Sequence, residues 1–144
     1  MPTRVIGADK IQRRLKKLSK TVDDLDDKTV YKVAGEVRNR IIKRTKTGRD
    51  VDMKPFKDYS KSYKKVRAKA GKKSGRPNLI WTFAMLGNMT FKKIREGAMI
   101  YFSSTAENNK AIGNQKLREF FGLSIKDVRF IMKEMHKPIV KVLK

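Results

Sequence analysis

The chain has 144 residues, with 37 lysines and arginines against 14 aspartates and glutamates, one histidine and no cysteine. That length suits one domain with a real core, and the net charge of +23 calls for anionic company, either nucleic acid or acidic protein surfaces. The missing cysteines exclude disulfide frameworks and thiolate metal sites. No apolar run approaches the roughly 20 residues of a bilayer span and no apolar signal core opens the sequence, so the chain reads as soluble and non-secreted, with no membrane partner.

Val5, Ile6 and Gly7 read as a short edge strand. Asp9 can then cap a helix that carries Ile11, Leu15, Leu18 and Val22 on one stripe. Its other face is basic through Arg13, Arg14, Lys16, Lys17 and Lys20, the pattern of a solvated face or of a contact with an anionic partner. Asp23, Asp24, Asp26 and Asp27 follow. Clustered carboxylates can bind a divalent cation, but these stand where a helix start wants them and no further ligand spacing supports a site, so no metal is expected. From Asp27 to Arg44, Val30, Val33, Ala34, Val37 and Ile41 recur with helical period, which makes this the long helix on which the core is built. Lys43 and Arg44 suit its negative end, and its β-branched residues leave it dependent on packing.

From Lys43 to Arg76 there are 14 basic and 3 acidic residues, with Gly48, Pro55, Gly71 and Gly75 as breakers and few aliphatic side chains. The stretch reads as an exposed, flexible basic arm at about 45–77. Lys54, Lys57, Lys61, Lys64, Lys65, Arg67, Lys69, Lys72, Lys73 and Arg76 are its candidate contacts to an anionic partner. Phe56, Tyr59 and Tyr63 fall at i, i+3 and i+7, so one or two helical turns around Tyr59 and Ser60 would pin the arm to the body. The rings could also stack on bases, although the one-sided spacing favours anchoring.

Leu79, Ile80, Trp81, Phe83, Met85, Leu86 and Met89 form the densest apolar segment, which runs into a strand from Met89 to Ile94. Arg95, Glu96 and Gly97 read as a hairpin loop with Gly97 at positive φ, followed by a return strand from Ala98 to Ser104. Met99, Ile100, Tyr101 and Phe102 are apolar on both faces, which predicts a central strand lying on the long helix. Thr105 to Lys116, with Asn108, Asn109, Gly113 and Asn114, reads as a loop. A last helix begins at Ser124, where Asp127 completes a capping box. Val128, Ile131, Met132, Met135, Ile139, Val142 and Leu143 keep its period, and Pro138 should kink or interrupt it near Glu134. The expected fold is α+β in a single domain: a small, mostly antiparallel sheet packed on a long central helix, with N- and C-terminal flanking helices.

Three of these stretches, taken together and in this order, carry a likeness. The run from Asp52 to Tyr63 holds Phe56, Tyr59, Ser60 and Tyr63; that from Pro77 to Leu86 holds Asn78, Leu79, Thr82 and Met85; that from Arg118 to Ser124 holds Phe120 and Gly122, with Asp127 beyond it. They resemble, respectively, the acidic and aromatic loop, the lead into the first hairpin strand and the opening of the final helix in the virion-morphogenesis or tail-completion proteins of tailed bacteriophages. These are small neck proteins that finish the tail end and join it to the DNA-filled head. The sequence departs from the pattern at Phe83, where glycine is usual, and at Ala111, Ile112 and Gly113, where an aromatic residue or histidine plus glycine is common. The resemblance spans most of the chain. It implies a structural ring subunit, hexameric in the family pattern, in the virion neck or head-proximal tail end after assembly in the host cytoplasm. Implied partners are further copies, an adaptor, tail terminator or tail tube, and the packaged DNA.

Catalytic chemistry needs convergent groups, and few are offered. His136 is the only histidine and stands among Lys133, Lys137 and Pro138 with no orienting carboxylate beyond Glu134. There is no phosphate-binding glycine loop, no nucleophile elbow and no repeated spacing for a two-metal nuclease, so neither enzyme activity nor a cofactor is expected. The runner-up to a neck component is a sequence-nonspecific, basic DNA-binding protein. Charge alone does not separate the two, whereas the order of the three segments favours the first.

Overall fold

The computed structural model describes residues 8–24, 28–95 and 97–143. Its elements run α1 (Ala8–Asp24), α2 (Val30–Lys46), α3 (Lys61–Lys69), α4 (Ala84–Gly87), β1 (Met89–Ile94), β2 (Gly97–Phe102), α5 (Thr105–Leu117) and α6 (Ile125–Leu143). The expected strand at Val5 to Gly7 lies outside the described residues, as do Asp26 and Asp27 and the side chains of Asp9, Asp23 and Asp24.

α2 is the frame of the molecule. Val30, Val33, Ala34, Val37 and Ile41 are all buried, and Val33, Val37 and Ile41 join Phe56, Met85, Leu86, Met89, Ala111 and Phe120 in one core. Ile100 and Phe102 of β2 and Phe130, Ile131 and Met135 of α6 pack against it. The sheet lies on α2 through Phe91, whose ring sits where a Cβ on Gly35 would approach it to 3.2 Å. A mid-helix glycine costs about 1 kcal/mol against alanine, which the seating of the ring offsets. Tyr31 meets Phe91 edge-on at 5.0 Å.

The hairpin has the expected antiparallel sense and its first strand the expected bounds, whereas the return strand, expected from Ala98 to Ser104, takes in Gly97 and ends at Phe102. Its register runs from Met89 opposite Phe102 to Ile94 opposite Gly97, leaving a two-residue loop with Gly97 at φ +142°. β2 is not central, however, because the described sheet has two strands. Its two-faced apolarity has a different use: Ile100 and Phe102 pack on the core, Met99 is exposed, and Tyr101 lies 5.2 Å from the Lys92 ammonium.

Thr105 to Lys116, expected as a loop, is helix α5. Ser104 caps it by accepting from the Glu107 N–H, and Ala111 is buried on its inner side. The stretch at 45–77 is also more structured than an unfolded arm, since it contains α3. Ser60 caps that helix by accepting from the Tyr63 N–H, so the helix starts just after the turn expected around Tyr59.

The α6 capping box forms reciprocally, Ser124 N–H to Asp127 Oδ2 at 2.9 Å and Asp127 N–H to Ser124 Oγ at 3.1 Å. α6 then continues through Pro138 to Leu143 without interruption. Its stripe divides: Ile131 and Met135 face the core, while Val128 and Met132 are exposed. Ile11 and Leu15 of α1 are likewise exposed, although α1 packs against α6.

Candidate functional site

Tyr59 is where the chain gathers. It is buried, and its hydroxyl accepts a hydrogen bond from the Leu79 N–H at 3.2 Å. The Arg67 and Arg118 guanidinium carbons lie 4.9 and 4.8 Å from its ring centroid. Both arginines spend their donors on carbonyls. Arg118 reaches Lys57 O at 2.7 Å and Asp58 O at 3.0 Å, and Arg67 reaches Lys73 O at 2.8 Å and Ile80 O at 2.9 Å. A planar fork of fixed donors can bind two carbonyls and still stack on a ring, which an ammonium cannot do as well. The runs 52–63, 77–86 and 118–124, separated in sequence, thus meet on one tyrosine.

A second knot ties the last of these runs to α2. Arg44, itself buried, donates to Asp127 Oδ2 at 2.7 Å, to Gly122 O at 2.8 Å and to Phe120 O at 3.3 Å. Burial on its own would raise the Asp127 carboxyl; hydrogen bonds from Ser124 and the Arg44 guanidinium outweigh that and hold it below the ordinary value. Gly122 suits a close approach, since a Cβ there would lie 3.0 Å from Val51 Cγ1 and Val51 would have to shift. Val51 N–H in turn donates to Glu119 O at 3.0 Å. The Gln115 side-chain amide clamps both backbone groups of Phe121 at 3.0 Å, joining α5 to the same segment.

Around Tyr59 opens a cleft of about 680 Å³, walled by Lys57, Tyr63, Trp81, Phe83, Leu117 and Arg118 among others. Trp81 and Phe83 are 40% and 41% exposed, high for rings of this size, and Tyr63 stacks near Trp81 at 6.4 Å. Side-chain bonds shape this wall: Asn78 Oδ1 accepts from Ile80 N–H at 3.0 Å and Thr82 Oγ1 from Ala84 N–H at 3.4 Å. Phe83 itself adopts φ +66°, a left-handed conformation unusual for an aromatic residue. At the rim, the hydrogen bond from Lys64 holds the Asp58 carboxyl below its ordinary value.

The ten basic residues singled out from sequence do not act alike. Arg67 is 2% exposed and donates from Nε and Nη2 to two carbonyls, so it is an internal strut and not a free contact. Lys64 is held by Asp58 at 2.6 Å, Lys72 leans toward Trp81, Lys54 lies 4.0 Å from Asp52, and Arg76 reaches Thr47 O at 3.4 Å. Lys57 and Lys73 are exposed. Lys61, Lys65 and Lys69 are exposed at i, i+4 and i+8, one stripe of α3, and make no ion pair among the described residues. Of the residues at motif positions, Phe56, Tyr59, Met85, Arg118, Phe120, Ser124 and Asp127 are buried, whereas Tyr63 is 40% exposed. Arg44 was readable only as a helix-end charge, because its partner lies 83 positions away and no local pattern announces it.

Among the described residues no group of histidine, cysteine and carboxylates could hold a metal ion, and no helix is long and apolar enough to cross a membrane. No protein-family model, curated protein or solved structure matches the chain.

Proposed function

We propose that this chain is a structural virion protein of a tailed phage, a ring subunit that completes the tail or joins it to the head. The observation that carries the reading is the meeting of the three family-like segments at Tyr59: one motif residue from each, Tyr59, Leu79 through its backbone N–H and Arg118 through its guanidinium, comes together there. Phe83 adds to it. The family pattern has glycine at this position, and the backbone here takes the left-handed conformation that glycine adopts most easily. The buried motif residues shape the body, and the exposed rings of Trp81 and Phe83 with the lysine stripe of α3 form the surface offered to neighbours or to DNA.

That stripe is also what favours the second reading, a sequence-nonspecific DNA-binding protein, since spaced lysines on one helix face suit a phosphate backbone. Complementation in vitro separates the two. Purified protein added to heads and tails made without it should restore infectious particles, and Tyr59→Ala, which removes the hub, should not. Full infectivity from heads and tails mixed without the protein would leave the DNA-binding reading.

A further inference from the structure

The open edge of β2 lies along an apolar trench. One end is a cavity of about 360 Å³ between Gly97, Ala98 and Ile100 of β2, Val33 and Val37 of α2 and Ile131 of α6. The other is a cavity of about 430 Å³ between Phe102 of β2 and Ala111, Ile112 and Gln115 of α5. The two share Ile100 and Phe121, and no residue of β1 lines either, so the trench follows the side of β2 away from its partner strand.

In an antiparallel ladder closed by a two-residue loop, alternate residues turn their N–H and C=O away from the partner; here these are Ala98, Ile100 and Phe102. Among the described residues those groups make no bond outside the hairpin. A row of unpaired backbone groups above an apolar groove accepts one kind of object well, an extended strand that pairs with the edge and drops alternate side chains into the groove.

We propose that this edge receives an extended, acidic segment of another protein by strand addition. Charge selects the partner. No carboxylate lines the trench among the described residues, Lys116 does, and the body carries +23. A second copy of the hairpin fits poorly, because the inward residues Met89, Ile100 and Phe102 already pack in their own core and cannot also fill the groove of a neighbour. The partner segment therefore has alternating apolar residues free to face inward, with carboxylates at its outward positions and ends. This inference does not depend on the neck reading.

The probe is a synthetic peptide of alternating valine and glutamate, with glutamates at both ends, followed by amide hydrogen exchange of the full chain. Binding should protect the amides of Ala98, Ile100 and Phe102 and weaken with salt. Ala98→Pro removes a donor on the open edge without touching the ladder to β1, and Ile112→Glu puts a carboxylate on an exposed trench wall. Each should weaken binding about tenfold or more with the hairpin amides of β1 still protected. Equal protection by a peptide of the same composition without alternation would overturn the proposal. So would edge amides already protected in the free chain and released on removing residues 1–7, which makes the chain its own occupant, or dimers that Ala98→Pro dissolves, which makes it a second copy.

Discussion

Arg44 and Asp127 show how a single pair can govern two elements. Their side chains are 5% and 4% exposed, so removing one leaves the other charged in a site that cannot hydrate it. Arg44→Met should cost about 3–5 kcal/mol of stability by denaturant unfolding, whereas Lys43→Met, on the exposed side of the same helix turn, should change little. The pair also sets an acid limb. Because the folded Asp127 carboxyl titrates below the ordinary value of 3.8, its contribution is complete above that pH and is lost as pH falls through the lower folded value. Asp127→Asn should flatten the loss of stability below pH 3.8, and an unchanged acid limb would show that other carboxylates dominate. At Phe83 the expectation is of opposite kind. Phe83→Gly should be tolerated within about 1 kcal/mol, since relief of the left-handed backbone offsets the removal of the ring, while Phe83→Val should cost about 2 kcal/mol.

At the scale of elements, what could be read in the sequence followed from local period and what could not followed from context. The apolar spacing of α2 and the Ser124 and Asp127 pair of α6 announced themselves because period and capping are local physics. α5 was hidden by Asn108, Asn109 and Gly113, yet Ser104 and Glu107 stand three apart in capping-box spacing, and that signal outweighed the composition. The place of β2 at an edge was not readable, because two apolar faces describe a strand buried on both sides and also a strand beside an open groove. α3 was half visible: the aromatic spacing was there, but the burial of Arg67 depends on carbonyls at Lys73 and Ile80 that only the fold brings near. This changes how the basic stretch is to be tested. Neutralising Lys61, Lys65 and Lys69 to Gln should leave the fold intact and reduce the salt slope of DNA binding by about 0.9 for each phosphate that is no longer neutralised. Including Arg67 would confound charge with unfolding. A slope unchanged by the triple substitution would move the stripe's partner from DNA to acidic protein.

For the whole molecule, a charge of +23 makes close packing of copies unfavourable until a polyanion or acidic neighbours are present. The purified chain should therefore sediment as a monomer or weak associate at moderate salt; on the proposed neck reading, a ring should form only on a finished tail end or head vertex. Truncation after Leu123 should abolish function by unfolding, since it removes α6 with Ile131, Met135 and the Asp127 partner of Arg44. On the same reading, charge reversal along Lys61, Lys65 and Lys69 should instead leave a folded protein that does not support head–tail joining. The most direct measurement is electron microscopy of particles assembled in a phage strain that lacks this protein and no other. The neck reading predicts DNA-filled heads and full-length tails lying separate in the same lysate. Joined particles of normal morphology and infectivity would contradict it.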